Sequence, residues 1–218
     1  MEQRRQFIKT ILGFFTGASL LFSPFFSLIR VGYANAKRII LPKGTRRESL
    51  TGKDPKLLDT RNLEITPLKD FDTMGETDHK IDQGKWRLEV EGRVKRPLRI
   101  TYSEIMSLPS IERKVLLICP GVFANHGQWK GISMEKLLMS AVVENDATHV
   151  TFFGPKGNTE HREVFPIEEV RKEKVFLAYE INGKTLPRKH GYPLRIVAED
   201  YHGDRWVKYV YKVSVDKL

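Results

Sequence analysis

The chain has 218 residues, with 37 Lys and Arg against 27 Asp and Glu, a formal net charge of +10 and a single cysteine. One thiol excludes an internal disulfide, a Cys-rich zinc site, c-type haem attachment and a cysteine-held iron–sulfur cluster, each of which needs several. The excess of base favours anionic partners. Nucleic acid is set aside, because the sequence has no helix-turn-helix pattern and no aromatic strand motif of the RNA-binding type.

At the front, Gln3-Arg4-Arg5-Gln6-Phe7-Ile8-Lys9 leads into an apolar stretch over residues 11–29, and Ala34-Asn35-Ala36 has the small-x-small form of a cleavage site. Together these have the form of a twin-arginine export signal. The competing reading is a membrane anchor with a basic end, since the stretch is close to the length that spans a bilayer. Residues 1–36 are expected to be a twin-arginine-type signal peptide, passed through the twin-arginine export machinery. The protein is then periplasmic, with membrane attachment if the signal stays uncleaved. Arg4, Arg5, Lys9 and Arg30 against Glu2 give this segment +3 of the chain's +10, leaving about +7 on the remainder. Such a surface suits an anionic cofactor or substrate, an acidic redox protein or a membrane surface. An exported chain with one thiol is not built to be stapled by disulfides.

Residues 37–62 are polar and charged and read as an extended arm with little structure of its own. Residues 63–218 read as one domain. Turn signals dominate residues 63–84, which are expected to wrap over it. Residues 86–92 alternate apolar and polar, a strand with one wet face, and residues 94–100 continue it past a Lys95-Arg96-Pro97 turn. Residues 101–109 form a short helix, capped by Thr101 or Ser103 and stopped by Pro109. Residues 111–119 are a more continuously apolar and so more buried strand. In residues 131–143, Met134, Leu137, Leu138, Ala141 and Val142 fall at helical spacing behind Ser133 as cap. Strands are expected over 149–153, 175–181, 194–198 and 207–215, a short charged helix over 166–172, and a turn at Asn182-Gly183. Strands outnumber short helices and no βαβ alternation is present, so the class is α+β with mixed sheets.

Cys119 ends its strand at Pro120-Gly121, a position where scaffolds present chemistry. Three roles remain for it: buried packing, a nucleophile, or one thiolate ligand to a metal held by other groups as well. Further on stand Trp129-Lys130-Gly131-Ile132, Asn182-Gly183-Lys184-Thr185-Leu186-Pro187, His190-Gly191-Tyr192-Pro193-Leu194-Arg195 and His202-Gly203-Asp204-Arg205-Trp206-Val207-Lys208.

This order of motifs resembles the molybdopterin-binding domain of the sulfite oxidase family, including its bacterial periplasmic branch of methionine sulfoxide reductase type. The resemblance runs from about Trp86 to Val215. The family's opening pattern stands as Trp86, Leu88, Val90, Gly92, Val94 and Pro97. Its central cysteine is Cys119, and its later segments are Trp129, Gly131 and Ile132, then Asn182, Gly183, Leu186 and Pro187, then His190, Gly191, Pro193, Leu194 and Arg195. The resemblance implies the sulfite oxidase-type fold and a molybdenum-molybdopterin cofactor. In it Cys119 is the protein's thiolate ligand to the metal and the catalytic residue, because one soft thiolate suffices when the cofactor brings the other sulfurs. It also implies that Arg195 and Lys208 contact the cofactor's phosphate, and that His190 and Arg205 line the pterin. Each of these three cations has a plainer reading as solvated surface charge.

The departures narrow the substrate. Sulfite oxidases follow their cysteine with a run that places a cation beside the metal. Pro120-Gly121-Val122-Phe123 stands here, with no cation until His126. A neutral or apolar substrate is expected, sulfoxide-type as the first choice. Phe123 and Trp129 are either its walls or core, and His126 is either a proton donor near the metal or a solvated loop residue. A pterin-lining segment is expected within residues 68–75. The resemblance thus implies an exported molybdopterin-dependent oxidoreductase performing oxygen-atom transfer. Its electrons pass to or from a separate redox partner, a cytochrome or a membrane haem subunit, because the chain has no haem or iron–sulfur motif. The competing functions are a non-catalytic periplasmic binding or assembly module that keeps the fold, and a Cys–His enzyme with His190 as base.

Overall fold

The computed structural model describes residues 37–155 and 161–218. The signal-like segment lies outside the described residues, as do residues 156–160. Ile39–Leu218 cluster as one unit. The strands are β1 (Ile39–Ile40), β2 (Leu58–Asp59), β3 (Arg87–Gly92), β4 (Leu98–Thr101), β5 (Ser110–Cys119), β6 (Phe123–Ile132), β7 (His149–Phe153), β8 (Arg162–Pro166), β9 (Val175–Ile181), β10 (Lys184–Thr185), β11 (Arg195–Ala198) and β12 (Lys212–Asp216). The helices are α1 (Tyr102–Ser107), α2 (Met134–Ala141) and α3 (Ile167–Arg171). Two five-stranded sheets carry the domain. One has the order β10-β9-β6-β5 with β11 also paired on β9, and the other the order β4-β3-β12-β7-β8. Within them β3 and β12 run parallel and the other pairs antiparallel. The α+β class with mixed sheets and short helices is what the residue pattern predicts. Among the described residues, no helix is long and apolar enough to cross a membrane.

Local chemistry accounts for the elements. In β3, Leu88 and Val90 are fully buried while Arg87 and Glu89 are not. Helix α1 opens with a capping box, in which the Thr101 hydroxyl accepts from the Glu104 amide and the Glu104 carboxylate accepts from the Thr101 amide. Ser133 caps α2, whose Met134, Leu137, Leu138 and Ala141 are buried. The continuous apolar run of β5 has a physical cause: both its faces are covered. Val115 and Leu117 belong to the main core, and Leu116 and Ile118 to a second, small one.

That second core also contains Leu41, Leu50, Leu58 and Leu63. Residues 37–62 hold two-residue strands and short 3-10 turns, and their leucines seal the back of β5 and β6. Three further differences have clear reasons. Strand β6 lacks alternation, carrying Asn125, His126, Gly127 and Gly131, and is made by its ladders to β5 and β9. Strand β8 was likewise hidden in a charged segment, Arg162-Glu163-Val164, and pairs along β7. The closing strand starts only at Lys212, since Tyr209 has φ +58 and breaks the extended run.

Candidate active site

Cys119 closes β5, and the Val122 amide donates to its carbonyl at 3.0 Å to form the turn into β6. Gly121 sits at φ +72 in that turn, where a side chain would be strained. Side chains alternate along a strand, so Cys119 shares the face of Leu117 and its ladder neighbour Phe123. These three line a small recess with Arg195, Lys208, Gly203, Thr73 and Met74. Residues from three separate segments, as much as 135 positions apart, thus meet at one strand end.

Arg195 starts β11 and is 4 % exposed, which overturns its reading as a solvated charge. Its guanidinium lies 5.2 Å from the Trp129 ring centroid and 5.6 Å from that of Trp206, and its Nη1 donates to the His190 carbonyl at 3.1 Å. Stacking and hydrogen bonding together fix the direction of a group that is otherwise flexible. Lys208 is 6 % exposed. Its Nζ donates to the Met74 carbonyl at 2.7 Å and to the Glu76 carbonyl. Gly191, at φ +106, allows the two cations to stand together. A Cβ there would lie 3.0 Å from the Arg195 Cβ and 3.1 Å from that of Lys208. Gly203 has the same function on the other side, since a Cβ would come within 2.7 Å of the Leu117 side chain.

His190 is fully buried, and neither ring nitrogen has a hydrogen-bond partner. Burial, reinforced by the charges of Arg195, Lys189 and Lys208, pushes its pKa down to about 3, so the imidazole is neutral. It stands edge-on to Phe71 at 5.5 Å. Arg205 is placed differently. Its Nε donates to Glu163 at 2.8 Å, and the guanidinium lies over Phe165 and Tyr201 at 4.4 and 4.5 Å, so the side chain faces β8 and does not line the recess. The structure therefore brings Cys119, Arg195 and Lys208 to one recess, attaches His190 through its carbonyl, and turns Arg205 to Glu163 on β8.

His126 is neither solvated nor near the thiol. It is 1 % exposed, on the opposite face of β6 from Asn125, with Nδ1 donating to the Leu63 carbonyl at 3.0 Å. Phe123 lines the recess, while Trp129 is fully buried beneath Arg195. Thr73 and Met74 also line the recess; no motif marks them individually, and both fall in the segment 68–75 where a pterin-lining stretch is expected. Among the described residues, no three or more His, Cys, Asp and Glu side chains are placed to hold a metal by themselves.

A family model described as the oxidoreductase molybdopterin binding domain matches residues 74–217. The chain belongs to this family. The match begins at Met74, earlier than the motifs that reveal the domain from Trp86 onward. The molybdopterin-binding domain is 28% identical over 158 residues to the protein-methionine-sulfoxide reductase catalytic subunit of Gluconobacter oxydans, covering 66% of this chain and 50% of that protein. It is 27% identical over 152 residues to an uncharacterized oxidoreductase of Bacillus subtilis, covering 69% of this chain and 73% of that one. The crystal structure of the sulfane dehydrogenase SoxCD from Paracoccus pantotrophus superposes with a TM-score of 0.62 at 20% identity, over 85% of this chain and 52% of that chain, a likeness of fold. The chain thus spans about half the length of the Gluconobacter protein. The domain is an oxidoreductase domain, and its cofactor is molybdenum-molybdopterin.

Proposed function

We propose that this domain is an exported oxidoreductase that transfers an oxygen atom to or from a small neutral substrate of sulfoxide type, exchanging electrons with a separate redox protein. The observation that carries the reading is the convergence of Cys119, Arg195 and Lys208 on one recess. The residues present fit the cofactor. A half-buried thiol suits a soft metal, two oriented cations suit a phosphate, and the two partnerless nitrogens of buried His190 lack the polar edge that a pterin offers. Gly191 and Gly203 leave room where any side chain would intrude.

On this reading Cys119 binds the metal as thiolate, while Arg195 and Lys208 hold the phosphate, with Trp129 and Trp206 keeping Arg195 in direction. Neutral His190 lines the pterin. Arg205 is proposed to steady the Gly203–Arg205 turn from its bond to Glu163. The cofactor, when bound, supplies two-electron oxygen-atom-transfer chemistry. Leu117 and Phe123 present apolar walls beside the thiol. These walls exclude water and favour a neutral substrate over an oxyanion. The name of the Gluconobacter relative, a catalytic subunit acting on protein methionine sulfoxide, supports both the substrate class and a separate electron-transfer subunit. The Arg4-Arg5 signal supports export.

The test is elemental analysis of the full chain made in a host that synthesises molybdopterin, beside Cys119→Ala, followed by reoxidation of the viologen-reduced protein with dimethyl sulfoxide. Near-stoichiometric molybdenum, sulfoxide-driven reoxidation and loss of reoxidation in Cys119→Ala are expected. A folded protein without molybdenum, indistinguishable from its variant, would return the chain to a binding module.

A further inference from the structure

The thioether of Met74 meets the thiol of Cys119, with Sδ 3.9 Å from Sγ. Met74 is not a gap-filler of the core, being 45% exposed. Its segment is held firmly all the same. Lys208 takes the carbonyls of Met74 and Glu76, the Tyr209 hydroxyl donates to the Glu76 carbonyl at 3.1 Å, and the Thr73 hydroxyl donates to the Lys189 carbonyl at 3.2 Å. Gly75 at φ +73 turns the chain immediately after it. The side chain is thus open to solvent oxidants and carried on a backbone that is held beside the sulfur at which oxygen-atom chemistry is proposed.

We propose that Met74 is a modification site of the protein itself, taking up an oxygen atom as sulfoxide and being returned to the thioether at the Cys119 site. The inference rests on the oxygen-transfer reading. In the forward step hydrogen peroxide is the oxidant. Its O–O bond breaks, an S–O bond forms on Met74, sulfur loses two electrons and water leaves. In the return step the S–O bond breaks and oxygen leaves as water with two protons from solvent. The sulfur regains two electrons from the redox partner that the proposed function already requires. The 3.9 Å approach of Met74 to Cys119 makes this return an intramolecular reaction, favoured by proximity over reduction of a freely diffusing sulfoxide. While oxidised, Met74 is a polar group between Lys208 and the apolar wall, and the recess is altered until it is repaired.

The molecule carries its own controls, since Met106 and Met139 are 43% and 61% exposed. The holoenzyme is treated with hydrogen peroxide, freed of it, and then given reduced methyl viologen, while peptide mass spectrometry follows sulfoxide at the three positions. All three are expected to oxidise, and Met74 sulfoxide to clear at least about tenfold faster than the others. Cys119→Ala is expected to abolish that difference. Persistence of Met74 sulfoxide alongside the other two, in a preparation that reduces added dimethyl sulfoxide, would overturn the inference and leave the function standing. Failure to reduce either would overturn both. A readout independent of turnover is alkylation of Cys119 by iodoacetamide in metal-free protein. Met74→Ala is expected to speed it severalfold, and an unchanged rate would show that Met74 does not cover the thiol.

Discussion

His190 sits in a neighbourhood of positive charge, with Arg195, Lys189 and Lys208 all opposing its protonation. Burial adds to this, so folding requires the neutral ring. The consequence for stability follows from linkage. The unfolded chain takes up a proton near the ordinary pKa of about 6.5, whereas the folded chain does so only at about 3. Stability attached to His190 is therefore complete above pH 6.5 and falls as the pH drops from there toward 3. Burial depresses His126 as well, in the same direction. Urea unfolding of the metal-free chain should show a loss of about 1.4 kcal/mol from His190 between pH 7.5 and 5.5, with His126 adding in the same direction. His190→Asn should remove its share of that loss. A variant with an unchanged pH dependence would mean that the ring is protonated, or accessible, in the folded state. Over this window Glu104 and Asp146, held below the ordinary carboxylate range by Thr101 and Arg93, stay ionised in both states and do not obscure the result.

At the scale of elements, the β5–β6 hairpin and its seam with β9 present the thiol. The register shifts between Lys130 and Gly131, and there the backbones come so close that a Cβ on Gly131 would lie 2.1 Å from the Leu177 carbonyl oxygen. Backbone cannot yield as a side chain can. Gly131→Ala is expected to cost about 3 kcal/mol or more, read as a fall in thermal midpoint or failure to accumulate soluble protein. Gly52→Ala, at a site with nothing within 4 Å and no left-handed backbone, is the matched control and should change stability by less than about 0.5 kcal/mol. A wild-type melt for Gly131→Ala would mean that the two strands are not seated at this spacing.

At the scale of the molecule, the arm supports the site from behind. Leu41, Leu50 and Leu58 cover Leu116, Ile118 and Ala124, and the Thr51 carbonyl accepts from the Gly121 amide at 3.0 Å, tying down the turn after Cys119. Leu50 is 2% exposed, and Leu50→Ala is expected to cost about 2 to 4 kcal/mol by opening a cavity there. The turn would loosen with it, so Cys119 in the variant should alkylate faster. Equal stability and equal alkylation would show that the arm is an accessory strap with no part in holding the site.

The sequence by itself determined the α+β class, the capped helices, the strand that ends in Cys119 and the family. These rest on local patterns: alternation in β3, helical spacing behind Ser133, and Gly and Pro at turns. It also named Cys119, His190, Arg195, Arg205 and Lys208 as a set, through motif order. Only the tertiary structure decided that Arg195 and Lys208 are buried together in the recess with the thiol, that Arg205 turns to Glu163, and that His126 lies on the far face of its strand. It alone made β6 a strand, built a second core from a polar arm, and set Met74 against Cys119. The reason is physical. Periodicity and turn chemistry are carried by neighbours along the chain, whereas the partner of a charge, the cover of a strand face and the contact of two sulfurs belong to residues that only folding brings within reach.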